Sequence, residues 1–262
     1  MTESDLLFFK DWFSEFCMTF CLKDKKEQKN ITLKEEHTGL VCENILAIAN
    51  GEGLEANQVL LAQAIALFHD VGRFPQYAKY RSFKDSASVN HGLLGANTLI
   101  EQKVLDRLPA SEREIVIDAV KFHNSFSIAD MADPDKILFL KLIRDADKLD
   151  IWRVFIGYYE STDEEKPEAI SLGLLDTPSY TAEILQPLME RQIVSLAKLQ
   201  TLNDFKLLQL SWIYDLNFTT SYRLLIERDY INRIAATLPQ TDEIQKAVAL
   251  VQTYAQEKSK NG

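Results

Sequence analysis

The chain is poor in everything that breaks or cross-links a fold. Only nine glycines and seven prolines punctuate 262 residues, and alternating stretches of strand type are few, so the long periodic segments read almost wholly as helix. Its three cysteines, Cys17, Cys21 and Cys42, form neither an even disulfide framework nor a zinc-type pair. Cys17 and Cys21 lie four apart on one helix face and read as reduced core residues. No run reaches the roughly 20 apolar residues that a membrane helix needs. The start, MTESDLLFFKDWFSEFC, sets Asp5, Lys10, Asp11 and Glu15 among its apolar positions, unlike a signal peptide. A soluble, cytoplasmic protein with no membrane partner is therefore expected. Basic residues are also outnumbered, 29 against 39 acidic ones. A net charge of −10 and a pI near 5.0 leave no general nucleic-acid surface, which needs clustered Lys and Arg.

What the chain does have is apolar bulk, at 46% hydrophobic residues, enough for one large domain or two small ones. The periodicity predicts helices over about 4–22, 32–49, 56–70, 90–104, 111–124, 135–150, 151–162, 181–201, 203–215, 217–236 and 241–258. The expected fold class is all-α, as a single helical domain over 1–262 with a chemical core at about 30–150 and a C-terminal helical extension at about 151–262. The stretch STDEEKPEA, 161–169, is a candidate linker, and equally an exposed loop within one domain. No repeat has a fixed period, and only the tail AQEKSKNG is compositionally biased.

The chemistry gathers in the first half, which holds all four histidines. On one helix face Leu33, His37, Leu40, Val41 and Asn44 line up. A second stripe carries Ala62, Ile65, Ala66 and His69, and a third Val116, Ala119, Val120 and His123. Three imidazoles thus point where the core is. In LFHDVGRFPQY, 67–77, Asp70 follows His69 directly. Neighbours on a helix project about 100° apart, but a carboxylate has two oxygens, so Asp70 at a helix end can bridge two ions while His69 binds one. Imidazole with carboxylate suits iron, manganese, zinc or similar divalent ions. For a closing ligand KLIRDADKLD offers Asp145, Asp147 and Asp150. Helical geometry favours Asp147 only slightly over Asp145.

From Val71 to Lys84 the chain carries Arg73, Lys79, Arg81 and Lys84 with no acidic residue. It reads either as a solvated basic loop or as a loop holding an anionic substrate. Gly72 is expected to let the chain leave the helix after Asp70, so that Arg73 starts the loop beside the ions.

These residues resemble the HD superfamily of metal-dependent phosphohydrolases, named for its H…HD…D signature. His37 matches the first histidine, His69 and Asp70 the doublet, and Asp147 in ADKLD the final aspartate. His91 in NHG and His123 in HN make the pattern H…HD…H…H…D, similar to the binuclear subset. The resemblance implies an HD-domain helical bundle with additional C-terminal helices, and two divalent ions on His37, His69, Asp70, His91, His123 and Asp147. It implies hydrolysis of a small phosphorylated metabolite or nucleotide through a metal-activated water. From their positions in the chain, Asp70 and Arg73 are expected at the chemistry, and Arg73, Lys79, Arg81 and Lys84 on the substrate. Asp150 is expected behind Asp147, where it can orient a ligand histidine or a water. HNSFSIADMADP after His123 departs from the cyclic-dinucleotide phosphodiesterases, and DKLDI from the guanosine-tetraphosphate hydrolases. The same six positions are also similar to the di-iron oxygenases of the superfamily. A ligand-binding regulator without turnover is a third expectation.

Overall fold

The computed structural model describes residues 1–128, 132–161 and 173–260. Those described residues are helical, with no strand beyond one isolated parallel bridge between Leu175 and Thr201. The fold class is all-α, as expected. Two compact units divide the chain, Met1–Asp150 and Ile151–Gly262. The stretch 161–169 lies, apart from Ser161, outside the described residues. No described helix is long and apolar enough to cross a membrane.

The first unit contains α1 (Glu3–Met18), α2 (Lys25–Gly51), α3 (Ala56–Phe68), α4 (Arg73–Tyr80), α5 (His91–Glu101), α6 (Ala110–Phe122) and the first part of α7 (Pro134–Glu160). Helix α3 explains the arrangement. Leu61, Ala62 and Ala64 to Phe68 are all buried, and a helix that is apolar nearly all round must be covered on every side. Helices α1, α2 and α6 pack on it. Phe68 meets the rings of Phe9 at 5.3 Å and Trp12 at 5.8 Å, both edge-on, contacts that add about 0.5–1.5 kcal/mol each beyond area burial. The end of α3, where His69 and Asp70 sit, is thereby held at the centre of the unit.

Several boundaries differ from the periodicity. Helix α1 stops at Met18, so Cys21 leaves the face of Cys17 and is exposed, while Cys17 is buried. The two helices expected at 135–150 and 151–162 are one, α7. Helix α4 occupies the segment read as a basic loop. Pro75 falls in its first turn, where a missing N–H costs nothing. Gly72 is not left-handed: its φ is −68° and ψ −17°. Its need is space, because a Cβ there would stand 2.2 Å from His91 O and 2.6 Å from Gly95 N.

The second unit holds the rest of α7, then α8 (Leu185–Met189), α9 (Leu202–Ser211), α10 (Thr219–Glu227), α11 (Tyr230–Ala236) and α12 (Asp242–Lys258). The helix expected at 181–201 is short turns of 3-10 type around α8, and that expected at 217–236 divides into α10 and α11. Asp204 organises the α9 start by accepting from Thr181 N at 2.7 Å, Gln200 N at 2.9 Å and Thr201 N at 3.0 Å. The indole of Trp152 donates to Gln209 O at 3.1 Å. All four histidines lie in the first unit.

Candidate metal centre

All four imidazoles are buried and converge on Asp70, itself buried. His37 comes from α2; His69 caps α3, His91 opens α5 and His123 caps α6. Their Nδ1 atoms all face acceptors. His69 Nδ1 meets Ala66 O and His123 Nδ1 meets Val120 O, each at 2.7 Å and each three residues back. His37 Nδ1 meets Asp150 Oδ2 at 2.6 Å, and His91 Nδ1 meets Asp85 Oδ2 at 2.7 Å. A carbonyl or carboxylate partner requires Nδ1 to carry the hydrogen, which leaves Nε2 of the neutral ring as a lone pair.

Those lone pairs face one another. His37 Nε2 and His69 Nε2 are 3.3 Å apart, His91 Nε2 and His123 Nε2 3.0 Å. Asp70 Oδ2 lies 3.5 Å from His37 Nε2 and 3.7 Å from His69 Nε2; Asp70 Oδ1 lies 3.3 Å from His91 Nε2 and 3.8 Å from His123 Nε2. Two groups able to hold a metal result, His37–His69–Asp70 and Asp70–His91–His123, sharing Asp70. Asp147 Oδ1 stands by the first, 3.1 Å from His37 Nε2 and 3.8 Å from His69 Nε2. Of the two aspartates that helical geometry leaves nearly equal, Asp147 stands beside the histidines. Lone pairs and carboxylate oxygens gathered this closely make a donor set that fits a divalent metal.

Charge follows the same plan. Burial pushes the pKa of His123 down to about 3, and burial likewise lowers His69 and His91. For His37, burial and Lys34 act downward, yet Asp147 and Asp150 outweigh them and its pKa is raised. Against burial, Lys34, His69 and Arg73 hold Asp70 well below the usual carboxylate range. His37 and His69 hold Asp147 down, and His91 and Arg73 do so for Asp85.

The basic residues part company. Arg73 opens α4 rather than a loop, with Nε 3.4 Å from Asp70 Oδ1 and Nη1 2.9 Å from both Gln76 Oε1 and Asp85 Oδ1. Nη1 also donates to Phe83 O. Lys79, Arg81 and Lys84 are exposed. Arg81 pairs with Glu27 at 3.4 Å and Lys79 lies over the Tyr80 ring, and none of the three makes an ion pair with the cluster. Two contributors escaped the sequence reading. Lys34, one turn before His37 on α2, donates to Asp70 Oδ2 at 2.7 Å, and helical phase alone points to it. Asp85 stands one residue beyond the stretch Val71–Lys84, and nothing local marks it as a partner of His91.

Residues 35–152 match the family model of the HD domain. The chain therefore carries an HD domain, the helical, metal-binding domain of a superfamily of metal-dependent hydrolases. Its ordered histidines and aspartates follow H…HD…H…H…D, in His37, His69, Asp70, His91, His123 and Asp147. No curated protein and no solved structure matches the chain.

Proposed function

We propose that the chain is a phosphohydrolase acting on a small phosphorylated metabolite or nucleotide, with two divalent ions of the iron, manganese or zinc kind. The carrying observation is that four imidazole lone pairs meet the two oxygens of one carboxylate, with every Nδ1 engaged outward. His37, His69, Asp147 and Asp70 Oδ2 would hold one ion; His91, His123 and Asp70 Oδ1 the other. Ions so bound acidify water and draw charge from phosphoryl oxygens.

The chain's own residues supply the rest. Asp70, ionised and gripped by Lys34 on one oxygen and Arg73 on the other, keeps the two halves at a fixed separation. Arg73 is the phosphate clamp: Nη1 is tied to the fold, whereas buried Nε makes no hydrogen bond and only a 3.4 Å ion pair with Asp70 Oδ1. Lys34 gives Asp70 one of its three donors. Two cations with donors to spare beside the centre favour an anionic substrate over a neutral one.

The test is release of inorganic phosphate from a panel of phosphorylated metabolites and p-nitrophenyl phosphate, using chelator-treated full chain reloaded with manganese, iron or zinc. Release should require the metal and vanish in His69→Ala. Oxygen uptake by the iron-loaded chain without phosphate release from any member would replace hydrolysis with oxygenase chemistry.

A further inference from the structure

Each half of the centre rests one imidazole on a main-chain carbonyl and one on a carboxylate. His69 and His123 use the carbonyls of Ala66 and Val120, whereas His37 uses Asp150 and His91 uses Asp85. The two carboxylates differ in place. Asp150 is buried in α7. Asp85 opens a short 3-10 turn, Asp85–Ala87, with its side chain 31% exposed, and gathers groups from three neighbouring segments. Its Oδ1 accepts from Arg73 Nη1 and Gln76 Nε2, both at 2.9 Å; its Oδ2 accepts from His91 Nδ1 at 2.7 Å and Asn124 Nδ2 at 3.1 Å. Gln76, fully buried, also donates to Ser88 Oγ and Val89 O, and Arg73 Nη1 donates to Phe83 O, so α4 holds the chain on both sides of Asp85.

We propose that Asp85 is the positioning residue of the His91–His123 half, governing whether that half holds its ion. The inference rests on the two-ion reading above. A carboxylate on Nδ1 fixes the tautomer, stops the ring turning about its own axis and strengthens Nε2 as a donor to metal. His91 depends on this more than its partner does. The His123 ring is fixed by a carbonyl of its own helix, at Val120, whereas His91 is the first residue of α5 and has no preceding turn of its own to supply an acceptor. Arg73 shares the same carboxylate, so the phosphate clamp and the dependent half-site have one anchor.

The experiment is a manganese titration of the chelator-treated full chain, reading bound ions per chain and their dissociation constants. Wild type should bind two ions, and Asp85→Ala one, the other weakened about 10–100-fold as expected for loss of a ligand's hydrogen-bond partner. His91→Ala should bind one, and Asp85→Ala combined with His91→Ala still one, because both changes strike the same half. Asp85→Asn keeps an acceptor for Nδ1–H without the charge, and its second ion should bind with intermediate affinity. Two ions at wild-type affinity in folded Asp85→Ala or Asp85→Asn would overturn the proposal. So would loss of both ions in the double variant, since Asp85 would then act beyond His91. Wild type saturating at one ion would instead defeat the two-ion reading itself.

Discussion

Asp70 bears the heaviest demand of any single residue. Each oxygen faces two imidazoles and one cation, so its carboxylate plane sets the axis of the whole centre. His37 shows the companion device. Asp147 and Asp150, three apart on α7, take the two nitrogens of the same ring, which is what helical neighbours on one flank can do. Arg73→Ala should lower kcat/KM for a phosphorylated substrate by about 1.5–3 kcal/mol, the usual worth of a charged hydrogen bond, measured at saturating metal. Unaltered kinetics on an identified substrate with metal in place would remove the clamp. At this scale the sequence shows the six histidines and aspartates through their order, spacing and inward phase. It conceals Asp85, whose partner His91 is joined to it by a turn, where no periodicity operates.

At the scale of elements, α3 and α6 each end on a metal-type histidine whose Nδ1 returns to the carbonyl three residues back. The helix end itself therefore aims the ring. Helices of this kind were legible because apolar residues recur with helical period in α2, α5, α6 and α12, and because α3 carries an apolar run from Val59 to Phe68 broken only by Gln63. Helix α4 was not, because its sequence RFPQYAKY is short, basic and carries a proline, and its buried Phe74, Gln76 and Tyr77, with the Arg73 bonds to Phe83 and Asp85, hold it in place. The close approach of Gly72 to α5 was likewise hidden, since it depends on a tertiary contact rather than on local conformation. Gly72→Ala should destabilise the protein by about 1–3 kcal/mol, as overpacking does, and weaken the ion at His91, whose carbonyl the new methyl would strike. Gly39, exposed in α2 with open space around it, is the control: Gly39→Ala should be neutral or stabilise by about 0.5–1 kcal/mol. Chemical denaturation of the two variants checks both, and equal stabilities would contradict the packing account.

At the scale of the whole molecule, charge and metal act on stability together. His69, His91 and His123 have pKa values below the ordinary 6.5, His123 at about 3, so the unfolded chain binds their protons more readily. The metal-free protein should lose stability as pH falls below about 6.5. His37, with its raised value, works the other way, contributing fully below about 6.5 and fading as pH rises through its folded pKa. Asp70, Asp85 and Asp147 are lowered, and their contribution, present above about 4, disappears as pH drops further. Melting temperatures of chelator-treated protein should therefore decline from pH 7 to 5, and a flat or rising profile would contradict the assigned environments. The central claim is that one carboxylate serves two ions. Anomalous diffraction from crystals of the manganese-loaded full chain tests it most directly. Two peaks are expected on either side of Asp70, one within coordinating distance of His37, His69 and Asp147 and the other of His91 and His123. A single peak, or peaks away from Asp70, would contradict it.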